Sequence, residues 1–547
     1  MSSDVTAYYG GPPPVPPEPS RPGRRKLWVA AGVAGLTGVV GLAALGGLAA
    51  REQKSGDQDR TSDAQPAVAP QPEAAAGPID KGAAKGERGA GWSGRDGPPA
   101  HRDAGKAAKR VPCDSDKLIE AITYANANQG GVLELAHGCT YELTRAERGD
   151  GLPVIRQAIT LTGRDTRITR AANVDPFRIL HVGRGGHLTL RQVTIKGGQT
   201  PADLIALPAR PKNLIGPFGG PTPTTKKPAA TPQAPAAAKP ATPKSAAPKA
   251  AAAAAVAGPS DGAGLLVQRG GRADIERSEF SINHSGGNGG AVANFGTTRL
   301  THTLVERNSA AGSGGGVFNA GVLRVEDTRI AGNSAQIGGG GIGNGAPPDG
   351  TRRSGGTVWL WRSAISHNRT AGVGGGILDV LGTTTVGQSE VVDNTASEGG
   401  GGIVAYHGTR LALQRVLVAR NSTDADAGGV AVSLESSAVI EQSVITENVA
   451  GGVGAGLYVW LGDVLLRDTE VVANQAVGQD SAGGGIVNNL GRVRLERSKV
   501  AQNVSVSAPG GISTNNDGVT IDRASAVTGN RPTNCIGSTI IPDRCFG

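Results

Sequence analysis

The sequence predicts an all-β fold, a parallel β-helix in which short strands stack coil upon coil. Three observations predict it: a repeat of nearly constant length, apolar positions that alternate with polar ones inside each repeat, and glycine clusters between the strands. Ten asparagines mark the repeat at intervals of 25 to 29 residues, apart from one interval of 35. A period in this range is typical of solenoids. The ten are Asn283, Asn308, Asn333, Asn368, Asn394, Asn421, Asn448, Asn474, Asn503 and Asn530.

Apolar columns keep a fixed distance from these asparagines. The third residue before each one is apolar in all ten repeats, and the eighth is apolar in all but one, where Asp522 breaks the column. Ser or Thr stands five residues before the Asn in nine repeats, with Val416 as the exception. Alternation of this kind indicates strands with one buried face. A helical solenoid is excluded because the repeats are rich in glycine and β-branched residues and have almost no run with a period of 3.6.

The asparagine column itself is predicted to be a structural ladder. An inward asparagine at a turn can bond both its own backbone and the next coil. We therefore expect Asn394→Leu to leave neighbouring amides unpaired, at a cost of about 1–3 kcal/mol.

The amino-terminal region contains one candidate membrane segment, residues 27–50. It carries no charge, and as a helix it would be about 36 Å long, enough for a hydrocarbon core of about 30 Å. Arg24 and Arg25 precede it, which predicts a cytoplasmic Pro-rich tail, 1–26, and an exported body. A cleaved signal sequence ending before Arg51, including one for twin-arginine export, is the alternative to an uncleaved anchor.

Two segments are predicted to be disordered, a linker at 51–110 and a Pro/Ala/Lys-rich insertion at 199–260. They leave 111–198, with a capping helix and the first coils, and 261–547, with the β-helix repeats. Because 111–198 ends in strand-like alternation, we interpret the insertion as a loop on one solenoid rather than as a linker between two domains.

Charge is concentrated outside the predicted body. The chain total is +9, of which residues 1–110 contribute +4 and residues 200–260 contribute +6, leaving −1 for the remainder. A nucleic-acid partner would require a basic face on the folded part, and none is visible. We therefore predict no nucleic-acid binding.

The four cysteines form two local pairs, Cys113 with Cys139 and Cys535 with Cys545. Four cysteines allow three connectivities. Local pairing is favoured because each disulfide would staple an end coil that has a single neighbour, and it implies an oxidising compartment. Metal ligation is the alternative, but neither pair has Cys-x-x-Cys spacing or a nearby cluster of histidines.

Residues 113–144 predict a short amphipathic helix followed by strands, with Leu118, Ile122 and Ala125 on one side of the helix. Such a helix would cover the open end of the stack. This segment resembles the amino-terminal cap of exported right-handed parallel β-helix repeat proteins from high-GC bacteria, actinobacteria included. The matching residues are Cys113, Glu120, Ala121, Ile122, Ala125 and Asn126.

The repeats "GGAVANFG" and "GGGVFNAG" are similar to those of polymorphic outer-membrane proteins, which share a pectate-lyase-like fold, and the Cys-bracketed ending 529–545 is similar to that of related bacterial proteins. The resemblance covers 113–198 and 261–547. It implies a right-handed parallel β-helix and says little about activity. The outer-membrane proteins also carry a carboxy-terminal β-barrel, for which this chain offers no segment, so we expect the amino-terminal segment to attach the protein to the membrane.

Catalytic residues are not recognisable. Uronate lyases need carboxylates around a calcium ion and a basic residue. The nearest match is Asp424 with Asp426, together with Asp393 and Glu398 one coil earlier and Arg420 nearby, and this set also fits an ordinary polar loop. We predict no catalytic residue, no metal site and no cofactor, and we treat an enzyme of the pectate-lyase type as the alternative.

Two aromatic clusters are the candidate binding residues. In "TVWLWRS", Trp359 and Trp361 share the outer face of a strand, and the chain has only five tryptophans. Arg324, Arg352 and Arg353 are expected beside them, although the long loop 346–355 could instead fold back over the pair. Tyr406, Tyr458 and Trp460, with His407, are expected to form a second outward cluster.

These features predict a membrane-anchored extracellular β-helix that presents a binding surface for a glycan or an envelope protein, as an adhesin or scaffold does. The cell membrane, through residues 27–50, is its expected location, and secretion after signal cleavage is the alternative. A carbohydrate-active enzyme of the pectate-lyase type, a lyase or a hydrolase, is the rival function. A structural spacer without a specific ligand is the third possibility.

Overall fold

A parallel β-solenoid of about 14 turns forms the body of the protein. The computed structural model describes residues 108–202, 257–345, 355–537 and 545. Each strand pairs in parallel with the corresponding strand one coil earlier and one coil later. The predicted all-β solenoid with parallel coils is therefore confirmed, while its right-handed winding stays a prediction.

The described residues contain a single α-helix, Ser115–Ala127, which directly follows the first strand, Lys109–Val111. The Asp114 side chain accepts hydrogen bonds from the backbone N–H groups of Asp116 and Lys117, which satisfies two otherwise unpaired donors at the helix start. Leu118, Ala121, Ile122 and Ala125 are buried on the face predicted from the sequence. The Cys113–Cys139 disulfide ties the start of this helix to the first coils, and Cys535 is bonded to Cys545 near the opposite end.

Two rows of strands belong to one 25-stranded sheet. It begins with strands Lys109–Val111, Gly131–Leu135, Thr140–Leu143, Ala158–Arg170 and His187–Lys196. The long row then comprises Arg272–Glu276, Thr297–Thr301, Val322–Glu326, Thr357–Trp361, Thr383–Gly387, Arg410–Gln414, Ser437–Glu441, Asp463–Arg467, Arg492–Glu496 and Val519–Ile521. The second row comprises Glu279–Ser281, Leu304–Glu306, Arg329–Ala331, Ala364–Ser366, Glu390–Val392, Leu417–Ala419, Val444–Thr446, Glu470–Val472, Lys499–Ala501 and Ala526–Thr528.

Two further sheets complete each coil. The third row has two-residue strands, His284–Ser285, Ser309–Ala310, Ser334–Ala335, Arg369–Thr370, Thr395–Ala396, Ser422–Thr423, Val449–Ala450, Gln475–Ala476 and Val504–Ser505. The fourth row comprises Leu180–Val182, Leu265–Val267, Val292–Asn294, Val317–Asn319, Ile342–Asn344, Ile377–Val380, Ile403–Tyr406, Val430–Ser433, Leu457–Trp460, Ile486–Asn489, Ile512–Thr514 and Cys535–Ile536.

The core is the aliphatic interior of the coils. Side chains at the second and fourth positions of the long row are buried, as Val358 and Leu360 illustrate. The apolar column continues at the last full coil, because Ile521, and not Asp522, pairs with Leu495. The expected break at Asp522 is therefore wrong. The last coil is one residue longer between this strand and its asparagine, and the Asp522 carboxylate accepts hydrogen bonds from the turn around Ser525.

The ten asparagines lie inside the solenoid and are linked from coil to coil. The Asn394 side chain shows the pattern: its Oδ1 accepts from the backbone N–H of Asn368 at 3.0 Å, and its Nδ2 donates to the Ile365 carbonyl at 2.9 Å and to Asn421 Oδ1 at 3.0 Å. Each member is at most 5% exposed. The ladder satisfies backbone groups at a buried corner that no strand pairing reaches.

The corners beside this ladder are formed mostly by residues other than glycine. The residue after each long-row strand except the last adopts a left-handed conformation, as at Asp327 and Arg362, with φ of 47° and 46°. Asp393 and Arg420, each directly before a ladder asparagine, do the same at 56° and 52°. Left-handed residues turn the chain sharply, and most of the side chains at these corners are polar.

The strands before and after the predicted insertion belong to one sheet. His187–Lys196 pairs directly with Arg272–Glu276 and Glu279–Ser281. Thr200 and Ser260, near the two ends of the predicted range 199–260, are buried, and the Thr200 hydroxyl donates to the Ser260 carbonyl. The solenoid therefore includes the outermost residues of that range.

Several sequence predictions lie outside the described residues. They concern the tail 1–26, the membrane segment 27–50, nearly all of the linker 51–110 and positions 203–256 of the insertion. Within the described ranges, no helix has the length and apolar character needed to cross a bilayer.

Candidate functional site

The candidate site is the outer face of the long row around its two tryptophans. Trp359 and Trp361 alternate with the buried Val358 and Leu360, so both indoles lie on the outer face, and both are half-buried. Alternation along a strand produces this arrangement, because successive side chains point to opposite faces of the sheet. Arg324 occupies the position paired with Trp359 one coil earlier.

Each indole has a defined neighbour. The Arg324 guanidinium lies over the Trp359 ring, 5.1 Å from its centroid, in a cation–π arrangement. Trp361 lies against the coil that follows, where Gly387 occupies the paired position. A Cβ atom on Gly387 would come within 2.0 Å of the Trp361 ring, so the indole rests on the backbone where a side chain would otherwise stand. The two tryptophans therefore form a fixed aromatic platform.

The outer face of the two coils that follow this platform carries few charges. The next strand presents Thr383 and Thr385 beside Gly387, and the strand after that presents Arg410, Ala412 and Gln414. Hydroxyl and amide groups beside aromatic rings can hydrogen bond to a polar ligand while the rings contact its apolar faces.

Charges are concentrated towards both ends of this face. At the amino-terminal end Asp274 accepts hydrogen bonds from His187 and Arg272, and Arg299 bonds Glu326 at 2.7 Å. The carboxylate of Asp274 is partly desolvated, but these partners dominate and lower its pKa to about 2. At the other end Arg467 contacts both Glu441 and Glu496, and Arg492 contacts Asp463. These charges are largely paired with one another.

A shallow groove follows the corner beside the platform. Its wider part, of about 600 Å³, is lined by Arg277, His302, Asp327 and Arg329 together with residues of the preceding coils. A continuation of about 530 Å³ shares Asp327 and Arg329 and reaches Arg362, the residue after Trp361. Arg362 donates two hydrogen bonds to Asp327, of 2.8 and 2.7 Å, which lower the pKa of that carboxyl.

The predicted second aromatic cluster is only partly at the surface. Tyr458 was expected on the outer face, but its side chain is completely buried, so this prediction is wrong. The glycine-rich segment before the strand folds back over it: a Cβ atom on Gly454 would lie 3.0 Å from that of Tyr458. Burial raises the pKa of the Tyr458 hydroxyl above its usual range. Tyr406 and Trp460 are half-buried against the same outer apolar cluster, and His407 is exposed.

The remaining predicted residues are dispersed or undescribed. Arg352 and Arg353 lie outside the described residues, as does nearly all of the loop that could cover the tryptophans. Asp393 is bonded to Arg420 through both carboxylate oxygens, at 2.9 and 3.0 Å. Asp426 accepts from the backbone N–H of Val453 in the next coil, at 2.8 Å, so it supports a turn. Among the described residues, no group of three His, Cys, Asp or Glu side chains is placed to hold a metal ion.

A second buried ladder was missed in the sequence. Asn294, Asn319 and Asn344 are linked by Nδ2-to-Oδ1 hydrogen bonds of 2.7 Å, and the next coil continues the column with Asp379. The Asp379 carboxyl accepts from the Thr384 hydroxyl at 2.6 Å, and burial raises its pKa to about 7. The sequence does contain a signal for this ladder, because the strings "VAN", "VFN" and "IGN" each end in asparagine and follow one another at intervals of 25 residues.

A buried charged cluster was also missed. Arg178 contacts Asp150 Oδ1 at 2.8 Å, and His181 Nδ1 lies 2.7 Å from Asp150 Oδ2. Arg178 also donates to the carbonyls of Pro259 and Asp261, at the end of the predicted insertion and directly after it. These contacts fix the returning chain on the early coils.

Comparisons with known proteins identify no family. No protein-family model matches the chain, and no curated protein matches it. Three solved structures are similar in backbone. A mannuronan C-5 epimerase A-module of Azotobacter vinelandii is 13% identical, with a TM-score of 0.33, over 78% of this chain and 97% of that one.

The tailspike protein of the Escherichia coli bacteriophage HK620, solved with a pentasaccharide, is 11% identical with a TM-score of 0.31, over 76% of this chain and 63% of that one. A surface adhesin of Streptococcus pneumoniae is 9% identical with a TM-score of 0.30, over 74% and 94%. Likenesses at this level identify neither a ligand nor an activity for this chain.

Proposed function

We propose that the protein binds a glycan on the outer face of its long row, with Trp359 and Trp361 as the central contacts. The observation that supports this proposal is the aromatic platform, in which one indole is fixed by Arg324 and the other by the backbone at Gly387. Both rings remain half-exposed. Two fixed aromatic rings on a solenoid surface are costly to solvate and have no evident role in packing the core.

The chemistry of the surroundings fits a sugar. Pyranose rings have apolar faces that can lie on an indole and hydroxyl groups at their edges that require hydrogen-bonding partners. Thr383, Thr385 and Gln414 offer such partners on the two following coils. Because the indoles are already fixed, binding would cost little side-chain entropy.

Binding to immobilised glycans tests the proposal. The double variant Trp359→Ala, Trp361→Ala should lose at least tenfold in affinity on a glycan array or a cell-wall pull-down. A matched control is Trp460→Ala, which removes a half-buried tryptophan from the fourth row and should leave binding unchanged. Retention of the double variant at the wild-type level would reject this site.

We also propose that the protein acts outside the cytoplasm as an anchored adhesin or scaffold of the cell envelope. The uncharged segment 27–50 and the preceding arginines support membrane attachment. The Cys113–Cys139 disulfide supports an oxidising compartment. In this proposal the helix Ser115–Ala127 caps the first coil. Protease accessibility of the body in intact cells, with carbonate extraction of the membranes, tests both the location and the anchor.

A further inference from the structure

The middle position of the long row forms an uncharged strip along the solenoid axis. Strand pairing aligns uncharged residues from five consecutive coils at this position. This neutral strip consists of Trp359, Thr385, Ala412, Val439 and Leu465. At about 4.8 Å per coil the strip is roughly 19 Å long. Val439 is 40% exposed, which is high for an apolar side chain in a sheet.

Arginine bounds the neutral strip at both ends. Arg324 precedes Trp359 in the same column and is placed over its ring. Arg494 follows Leu465 and bonds Glu496 at 2.8 Å. The change from charged to uncharged residues therefore occurs at two defined coils, and the tryptophans lie at one end of the uncharged interval.

Side chains in the middle of the neutral strip are shorter than those along its two edges. Beside Ala412 stand the longer side chains of Arg410 and Gln414, which belong to the same strand and point to the same face. Beside Thr385 the position of Gly387 is covered by the Trp361 indole. Small residues in the middle with longer ones at the edges leave a straight, shallow track parallel to the axis.

From these observations we infer that the ligand is a linear, uncharged glycan that lies along the neutral strip, from the tryptophans towards Leu465. The inference rests on the proposed function and adds the chemical class and the direction of the ligand. A ligand crossing the face at right angles would meet one coil only. A polyuronate or another acidic polymer would place its carboxylates over Thr385, Ala412 and Val439, which carry no charge, and Arg410 alone could not compensate for the lost hydration of several carboxylates.

Arg410 is the charged side chain that borders the first three coils of the strip. One guanidinium at the edge can bond to a sugar hydroxyl as well as to a carboxylate. It does not by itself match an acidic polymer with a charge on each residue. Arg410→Ala therefore separates the two ligand classes.

The test measures binding of the full chain to soluble neutral and acidic polysaccharides of matched length, with an oligosaccharide series for each. Two variants place a charge on the strip away from the tryptophans, Ala412→Arg and Thr385→Asp. Thr301→Arg is the control for Ala412→Arg, since it adds the same positive charge to the outer face of the long row two coils before the tryptophans. Thermal unfolding of each variant establishes that it is folded.

The inference predicts that neutral glycans bind, that affinity rises with chain length, that both strip variants lose at least tenfold, and that Thr301→Arg and Arg410→Ala lose less than threefold. If Trp359→Ala abolishes binding but both strip variants bind normally, the ligand does not follow the strip, and the proposed function survives without this inference. Preference for acidic glycans with loss in Arg410→Ala overturns the assignment to neutral glycans alone. Glycan binding that is independent of both tryptophans overturns the site and the inference together.

Discussion

Replacing one ladder asparagine tests how the solenoid satisfies its buried corner. In Asn394→Leu the new side chain has a similar size, but it can neither donate nor accept a hydrogen bond. Four hydrogen bonds are lost, two accepted by Asn394 Oδ1 from Asn368 and two donated by Asn394 Nδ2 to Ile365 and Asn421. The backbone N–H of Asn394 keeps its bond to Asn421 Oδ1.

The magnitude follows from which groups lose their partner. The Asn368 backbone N–H becomes a buried donor without an acceptor, which costs about 1–3 kcal/mol. The Asn368 side chain loses its hydrogen bond to Asn394 but still donates to the Ile330 carbonyl. The Ile365 carbonyl loses the hydrogen bond that it accepts from the Asn394 side chain. The expected reduction in the free energy of unfolding is therefore about 2–4 kcal/mol.

Denaturant unfolding of the variant and of the wild type measures this difference. Because stacked coils can unfold in parts, amide hydrogen exchange at Asn368 supplies a local measurement, and exchange there should accelerate more than at distant coils. Gln414→Leu is the control, since that side chain is exposed on the next coil and its removal should change stability by less than about 0.5 kcal/mol. A ladder variant as stable as this control, with unchanged exchange at Asn368, would refute the reasoning.

Three other perturbations have defined outcomes. Burial holds the pKa of Asp379 at about 7 in the folded protein, above the usual range of an aspartate. The folded protein therefore binds more protons than the unfolded chain and loses stability as pH rises from about 4 to about 7. Asp379→Asn should remove that loss, which is on the order of 4 kcal/mol, and urea unfolding at pH 4 and pH 8 measures it; an unchanged pH dependence would contradict the assignment. Gly387→Ala should displace the Trp361 indole, because the added methyl group would overlap the ring. The displacement should shift tryptophan fluorescence to longer wavelength and weaken glycan binding; an unchanged spectrum would contradict the close contact. The Cys113–Cys139 disulfide joins residues that are 26 positions apart in the sequence. Replacing both cysteines by serine should lower the free energy of unfolding of the first coils by about 3 kcal/mol. Equal stability of the serine variant and the oxidised protein would show that the disulfide contributes nothing there.

The sequence was a good guide to the aromatic platform and a poor guide to the second aromatic cluster. Strand alternation correctly placed Trp359 and Trp361 on the outer face, because the period of two depends only on the backbone. The same alternation placed Tyr458 on an outer face as well, yet the glycine-rich segment before it covers that face. An outward direction does not decide exposure when another segment of the chain lies on top.

Repeat length, apolar columns and inward asparagines were determined by the sequence alone, because stacked coils repeat the same environment at the same position and so leave a periodic record in the chain. Tertiary structure decided everything that depends on which coils are neighbours. The contact between Gly387 and the Trp361 indole becomes visible only once strands 26 residues apart are paired. Ile521 takes the position expected for Asp522 because the last coil is one residue longer between this strand and its asparagine. The neutral strip arises in the same way, since its five residues come from five separate strands and share a line only through the register of the sheet.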